Sequence, residues 1–225
     1  ASADLTNVPL SKEIEILVPY KGKIKWIANG RNGHSTDIAS KEIIVTKGSF
    51  KTFIHGLYVD GFTELTIQYK NNDGNIRAIK SINVYPSDIS NFLIPSVNIK
   101  SMGDADVQRL ILFSHRAGSK GPIIIDHYGD IRYYLDEDAG GGYGLKQTSR
   151  GTLLWGRENT LYEYKLNGEI LWSHQIPEKY GIIHHDIIYM GDDKYLLTVN
   201  NNELSTIEDI IIYYDAATSS VLKEW

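Results

Sequence analysis

The pattern of apolar and polar residues over roughly the first 88 positions is that of short strands between turns, in part with a period of two, and no segment has the 3.6-residue period of a helix. "EIEILVPY" (13–20) and "KIKWIANG" (23–30) are typical segments, and each one runs into a turn that contains Gly, Pro or Asn. "NNDGN" (71–75) separates two further segments and contains Asp-Gly, a strong hairpin signal. Several short strands at this spacing predict a small β-sandwich over residues 1–90.

The alternation is lost over residues 86–106, "PSDISNFLIPSVNIKSMGDAD". Two prolines among serines and asparagines are typical of a connecting segment rather than of a strand or helix. We therefore predict a linker over residues 91–103.

A strand–turn–strand unit recurs in the rest of the chain. It is seen in "PIIIDHYGDIRYYL" (122–135), "TLYEYKLNGEILWS" (160–173) and "DIIIYYDAATSSVLKEW" (209–225), with further strands between the copies. A four-strand unit that recurs roughly every 40 to 50 residues is typical of propeller blades, which stack because one such sheet cannot bury both faces alone. Residues 104–225 are expected to form about two and a half blades of a truncated propeller, since closed propellers have about four to eight.

Composition narrows the functional classes. Fifteen tyrosines and 20 glycines suit strands and turns, so the predicted fold class is all-β. The net charge is -5, and Lys and Arg are scattered singly, which argues against a nucleic-acid surface. The absence of cysteine excludes disulfides, thiolate metal sites and a cysteine nucleophile within this chain. No apolar run approaches the roughly 18 residues that a membrane span needs.

Candidate functional side chains are concentrated in "YGIIHHDIIYMGDDKYLLTVN" (180–200), in which His184, His185 and Asp186 interrupt an apolar strand. Neighbouring side chains of a regular strand point to opposite faces, so the two imidazoles cannot both face one side unless the strand is irregular. An imidazole donates a strong hydrogen bond to an anionic oxygen, and Asp186 could fix a tautomer.

Two other interpretations of the same residues stay open. The histidines could be structural, with a tyrosine hydroxyl or a backbone carbonyl as partner. Metal ligation is disfavoured because adjacent ligands on a strand diverge and no His-x-His or Glu-x-x-His spacing is present. No metal or other cofactor is therefore predicted.

Other polar residues have structural interpretations. The acidic stretch Asp136, Glu137 and Asp138 lacks the ligand spacing of a calcium loop, so a solvated loop is predicted. Tyr143 is predicted to be a surface tyrosine, and Arg157 ends a strand. Three histidines have no partner that the sequence indicates: His55, His115 and His127. The acidic pair Glu208 and Asp209 precedes a strand.

Five stretches, taken in order, resemble bacterial arylsulfate sulfotransferases. They are "FIHGLYVDGFTELTIQYKNNDG" (53–74), "GDIRYYLDED" (129–138), "TSRGTLLWGRENTLYEYKLNGEILWSHQIP" (148–177), "IIHHDIIYMGDDKYLLTVN" (182–200) and "IEDIIIYYDAATSSVLKEW" (207–225). The resemblance implies an Ig-like domain ahead of a six-bladed propeller, of which this chain holds the N-terminal portion.

The same resemblance implies an activity. The family moves a sulfuryl group from one phenol to another through a histidine intermediate. His185 matches a position that binds the sulfate oxygens, while the motifs of the covalent step belong to later blades that do not occur before Trp225. We therefore expect His185, with His184 and Asp186, to bind substrate, and the 225-residue chain alone to be inactive.

The resemblance also implies partners and a location. The expected partners are small aryl sulfates and phenols, with no nucleic acid and no membrane span, and assembly into a homo-oligomer stays an open alternative. The family is exported, which predicts the periplasm or the cell surface. The rival hypothesis is a propeller without catalysis that binds a cell-surface glycan or a protein through its loops.

Overall fold

A computed structural model describes residues 3–4, 7–31, 36–90, 92, 94, 97–98, 110–114, 121–137, 143–204 and 210–225. All of the regular secondary structure in these ranges is β-strand, and it forms several sheets. The predicted all-β class is therefore confirmed.

The strands are β1 (Ala3–Asp4), β2 (Ser11–Val18), β3 (Gly22–Ala28), β4 (Ile38–Ala39), β5 (Ile43–Val45), β6 (Gly48–His55), β7 (Thr63–Asn71), β8 (Ile76–Val84), β9 (Leu110–Ser114), β10 (Pro122–Asp126), β11 (Ile131–Tyr134), β12 (Tyr143–Gln147), β13 (Leu153–Arg157), β14 (Thr160–Tyr164), β15 (Ile170–Gln175), β16 (Tyr180–Gly191), β17 (Lys194–Asn201), β18 (Ile210–Asp215) and β19 (Ser220–Glu224).

The chain divides into two compact units. The first contains Ala1–Ile111 and Ile123–Leu135, and the second contains Leu112–Pro122 and Asp136–Trp225. Most of the predicted linker, residues 91–103, lies outside the described residues. The predicted boundaries at 90 and 103 stay predictions.

In the first unit, β1, β2 and β6 form one sheet, and a second sheet has the order β4-β3-β7-β8 with β5 also paired to β3. The hairpin between β7 and β8 has the turn that the sequence predicts. Gly74 adopts a φ of 81°, and its N–H donates to the carbonyl of Asn71 at 3.0 Å. Asn71 also accepts the N–H of Asn75 through Oδ1 at 2.9 Å, so side chain and backbone hold the turn together.

A third sheet has the order β11-β10-β9. Arg132 of β11 is fully buried, and its guanidinium stacks 4.1 Å from the ring centroid of Tyr58. It donates to the carbonyls of Gly56 at 3.0 Å and Thr36 at 2.7 Å, and to Asp126 Oδ2 at 3.2 Å. A buried charge needs partners of this kind, so Arg132 fixes β11 against the loops of the first unit.

The second unit contains two four-stranded antiparallel sheets, β12-β13-β14-β15 and β16-β17-β18-β19. In each sheet the strands follow one another in chain order, as consecutive hairpins require. Apolar side chains from both sheets form one core, with Leu154 and Leu161 on one side and Ile183, Ile187 and Leu197 on the other. This core positions β16, the strand that contains the paired histidines.

Candidate functional site

The paired histidines lie on a bulge in β16. Ile183 lies opposite Val199 of β17, and Ile187 lies opposite Leu197. The three residues 184–186 therefore lie opposite the single residue Thr198. A bulge of this kind bends the strand and re-aims its side chains, and bulges are frequent beside functional sites. The regular alternation that would separate the two imidazoles therefore does not apply here.

His184 is the buried member of the pair, with only 8% of its surface exposed. Its Nε2 lies 2.5 Å from Oδ1 of Asn200 on the neighbouring strand. An amide oxygen accepts hydrogen bonds, so Nε2 is the donor in this arrangement. The amide oxygen of Asn200 is thus a partner of the kind that the structural interpretation requires.

His185 is the exposed member of the pair. Its backbone has a φ of 63°, in the left-handed region that non-glycine residues seldom occupy. The two imidazole rings meet edge to face, with centroids 4.7 Å apart and planes at 81°. The bulge therefore turns His185 outward while its ring still rests against the fixed ring of His184.

Asp186 forms an ion pair with Lys146 of β12, with 2.8 Å between Oδ1 and Nζ. The same oxygen accepts the N–H of Ile187 at 2.9 Å. The hydrogen bond from Lys146 lowers the pKa of Asp186 below its ordinary value, so the carboxylate is charged at neutral pH. These contacts direct Asp186 toward Lys146, and the proposed orientation of an imidazole by Asp186 stays a prediction.

Thr198 closes the bulge from β17. Its hydroxyl donates to the carbonyl of His184 and accepts the N–H of Asp186, the latter at 3.1 Å. A bulge leaves backbone groups without ladder partners, and this one side chain satisfies two of them.

Two glycines allow the neighbouring sheet to approach the residues on either side of the bulge. A Cβ on Gly144 would lie 2.6 Å from Cγ1 of Ile187, and one on Gly156 would lie 2.5 Å from Cγ2 of Ile183. Only glycine therefore fits at these positions of β12 and β13 without displacing β16.

The isolated histidines have structural partners where they are described. His55 packs edge-on against Trp26, and its Nδ1 lies 2.8 Å from the hydroxyl of Ser11. Burial lowers the pKa of His55 to about 4. His127 lies 3.1 Å from Thr36 Oγ1 through Nδ1. His115, Asp138, Glu208 and Asp209 lie outside the described residues.

Sequence reasoning did not find Asn200, Thr198 or Lys146. Thr198 and Asn200 are polar residues two apart in the apolar strand "KYLLTVN", which places both on one face of β17. That alternation was the available signal. Lys146 lies 40 positions before Asp186, and no local pattern joins them.

Among the described residues, no group of three or more His, Asp or Glu side chains is arranged to hold a metal ion. The bulge offers one exposed imidazole, that of His185, beside the ion pair of Asp186 with Lys146. This chemistry suits an anionic ligand that accepts hydrogen bonds.

Comparison with known proteins agrees with the resemblance seen in the sequence. The chain is similar to the arylsulfate sulfotransferase AssT of Escherichia coli O6:H1, with 21% identity over an alignment 272 residues long. The match covers 93% of this chain and 45% of the relative. The chain thus spans less than half of that protein's length. The model of the family described as Arylsulfotransferase (ASST) matches residues 96–225, more than half of the chain and the whole of the histidine bulge. The chain therefore belongs to the arylsulfotransferase family.

Proposed function

We propose that this chain is part of an enzyme that transfers a sulfuryl group from an aryl sulfate to a phenol. The observation that carries the proposal is the exposed imidazole of His185, held outward by a bulge inside the segment that the family model matches. A left-handed histidine costs about 1–3 kcal/mol, and such backbone strain clusters at functional sites.

The proposed architecture has an Ig-like β-sandwich over 1–90, a linker over 91–103 and the first blades of a six-bladed propeller over 104–225. The two consecutive four-stranded antiparallel sheets support this proposal, since each blade of a propeller is such a sheet. In that arrangement β16, the first strand of its sheet, would be the strand nearest the axis.

The proposed reaction has two steps. In the first, the S–O bond to the donor ring breaks, a phenolate leaves, and an imidazole nitrogen of a histidine outside this chain bonds to sulfur. In the second, the acceptor's phenolic oxygen bonds to sulfur and the S–N bond breaks. The acceptor's proton passes to the released phenolate, so the products are a neutral phenol and a new aryl sulfate anion, and no oxidant or reductant is needed.

His185 would act by donating a hydrogen bond to the sulfuryl oxygens throughout both steps. Fixed donors of this kind stabilise charge in a transition state without reorganising, and removal of one costs about 10²–10³-fold in rate. His184, bound to Asn200, would hold the ring of His185 in place, and Asp186 would be neutralised by Lys146.

The test compares His185→Ala with His184→Ala in the complete protein that contains this chain. Transfer from 4-nitrophenyl sulfate to phenol is followed by release of nitrophenolate. We expect His185→Ala to lower kcat/KM by about 100-fold or more, and His184→Ala to lower it much less per folded molecule. Equal losses would contradict the assigned role, and a wild-type protein with no transfer would favour a binding module.

We also propose an extracytoplasmic location, since the resembled family is exported. No helix long and apolar enough to cross a membrane is found in the part of the chain that the structure describes. Fractionation of cells that express the complete gene would test the location, and recovery from the cytoplasmic fraction would contradict it.

A further inference from the structure

Strand β8 of the first unit is exposed along almost its whole length. Residues 76–83 are all exposed, and only Val84 is half-buried. The exposure includes the side of β8 that faces the core, where three of its residues lie opposite residues of β7 that pack in the core. The pairs are Ala78 with Tyr69, Lys80 with Ile67 and Ile82 with Leu65. The core-facing side of a strand is normally buried, so β8 leaves surface here that another element would cover.

Strand β8 is also at the edge of its sheet. It pairs with β7 on one side, and no strand in the described part of the chain pairs with it on the other side. The N–H and C=O groups on that open side are a template for one more strand. At about 3.3 Å per residue, the edge is about 30 Å long, which is enough for an extended segment of about nine residues.

Strand β2 of the neighbouring sheet lies across from β8, and two grooves separate these strands. One groove, of about 350 Å³, is lined by Ile14 of β2 and by Ile82 and Val84 of β8. The other, of about 540 Å³, is lined by residues 19–20, just after β2, and by residues 77–78 of β8. The first groove is at the start of β2 and the end of β8, and the second is at the opposite ends. Together they mark the two ends of one seam between β2 and β8.

The charges on β8 indicate which kind of strand would fit there. Arg77 and Lys80 are its only charged residues, and both are exposed. Arg77 lines the second groove, and Lys80 is on the core-facing side of β8. A second copy of β8 on this edge would bring the same cations together, and like charges on paired strands are destabilising. A segment with carboxylates would place opposite charges there instead.

We propose that β8 is a strand-addition site for an extended acidic segment of a partner protein. The backbone of the segment continues the sheet along the open edge of β8. Its apolar side chains enter the groove beside Ile14 and Ile82, and its carboxylates lie beside Lys80 and Arg77. In such complexes the main-chain hydrogen bonds give affinity, and pockets for alternate side chains give specificity. This inference goes beyond sulfuryl transfer and does not depend on His185, which belongs to the other unit.

The test uses the 225-residue chain and a fluorescein-labelled peptide of about nine residues. In the peptide, threonine alternates with two valines and then with three glutamates, so that one face is apolar at one end and acidic at the other. Fluorescence anisotropy should show saturable binding with a Kd of about 10–100 μM, and a peptide with lysines in place of the glutamates should bind at least about tenfold more weakly. No saturable binding of the acidic peptide, or equal affinities, would overturn the proposal.

Methylation of the peptide backbone distinguishes strand addition from attraction between charges alone. A strand bonds its neighbour through every second N–H, so the N–H groups of one face of the peptide point toward β8 and those of the other face point away. N-methylation of one set should weaken binding at least about tenfold, and N-methylation of the other set should change it by less than about threefold. Equal effects of the two would contradict addition to an edge.

Charge reversal on the protein locates the site. Arg77→Glu combined with Lys80→Glu should weaken the acidic peptide at least about tenfold and favour the lysine peptide. The matched control is Lys41→Glu combined with Lys47→Glu, at exposed residues that flank β5 on the far side of β3. An equal loss in the control would refute the assignment to β8. Self-association of the free chain that the acidic peptide reverses would identify a second copy as the occupant, and would also refute the proposal.

Discussion

Replacement of His185 should separate activity from stability. His185→Asn removes the imidazole but suits the left-handed backbone, and His185→Gly removes the left-handed strain altogether. Relief of that strain is worth about 1–2 kcal/mol, and the greater freedom of unfolded glycine offsets about 0.5–1 kcal/mol of it. Since His185 is exposed, little burial is lost. The free energy of unfolding should therefore stay the same or rise by up to about 1 kcal/mol in both variants.

The matched control is His184→Ala. That change removes a buried ring and its 2.5 Å bond to Asn200, and it leaves the amide oxygen without this donor. Loss of a buried hydrogen-bond partner costs about 1–3 kcal/mol, so His184→Ala should be clearly less stable than the wild type. Stability should thus be kept on substitution at position 185 and lost on substitution at position 184.

The assay has two arms on the same preparations. Urea unfolding followed by tryptophan fluorescence gives the free energy of unfolding, and sulfuryl transfer by the complete protein gives kcat/KM. We expect His185→Asn and His185→Gly to lose about 10²–10³-fold in kcat/KM while keeping their midpoints. The reasoning is refuted if either variant unfolds as early as His184→Ala, or if either one keeps full activity.

Three other outcomes follow from the structure. Burial holds the pKa of His55 at about 4, so the unfolded chain binds the extra proton before the folded chain does as pH falls from 6.5 toward 4. The free energy of unfolding should therefore fall over that pH window, by no more than about 3 kcal/mol. Urea titrations at several pH values would measure this slope, and His55→Gln should remove it. Gly156→Ala should lower the free energy of unfolding by about 1–3 kcal/mol, because the new Cβ would overlap Ile183. A Cβ at Gly151 meets no atom within 4 Å, and its backbone has a φ of 80°. Gly151→Ala should therefore lower the same free energy by only about 1 kcal/mol, through backbone strain. The isolated 225-residue chain should show no transfer from 4-nitrophenyl sulfate, and robust turnover by it would overturn the proposal that the covalent step lies elsewhere.

The sequence predicted those parts of the fold that depend on local physics. Short strand-like segments around the Asp-Gly of "NNDGN" predicted β7, β8 and the turn that Gly74 forms with a positive φ, and the recurring strand–turn–strand unit, with the further strands between its copies, predicted β14 to β19. These features depend on a few neighbouring residues, because side-chain period and turn geometry are properties of short segments. The same pattern also placed the paired histidines on a strand, in the segment that the family model matches.

Only the tertiary structure decided which histidine faces solvent. A regular strand would point His184 and His185 to opposite faces, but β17 supplies one residue, Thr198, against three of β16. In the resulting bulge the two rings touch, with the ring of His184 buried and that of His185 exposed. The pairing of Asp186 with Lys146 likewise depends on two sheets meeting. Such contacts join residues far apart in the chain, so no local pattern of hydrophobic and polar positions encodes them.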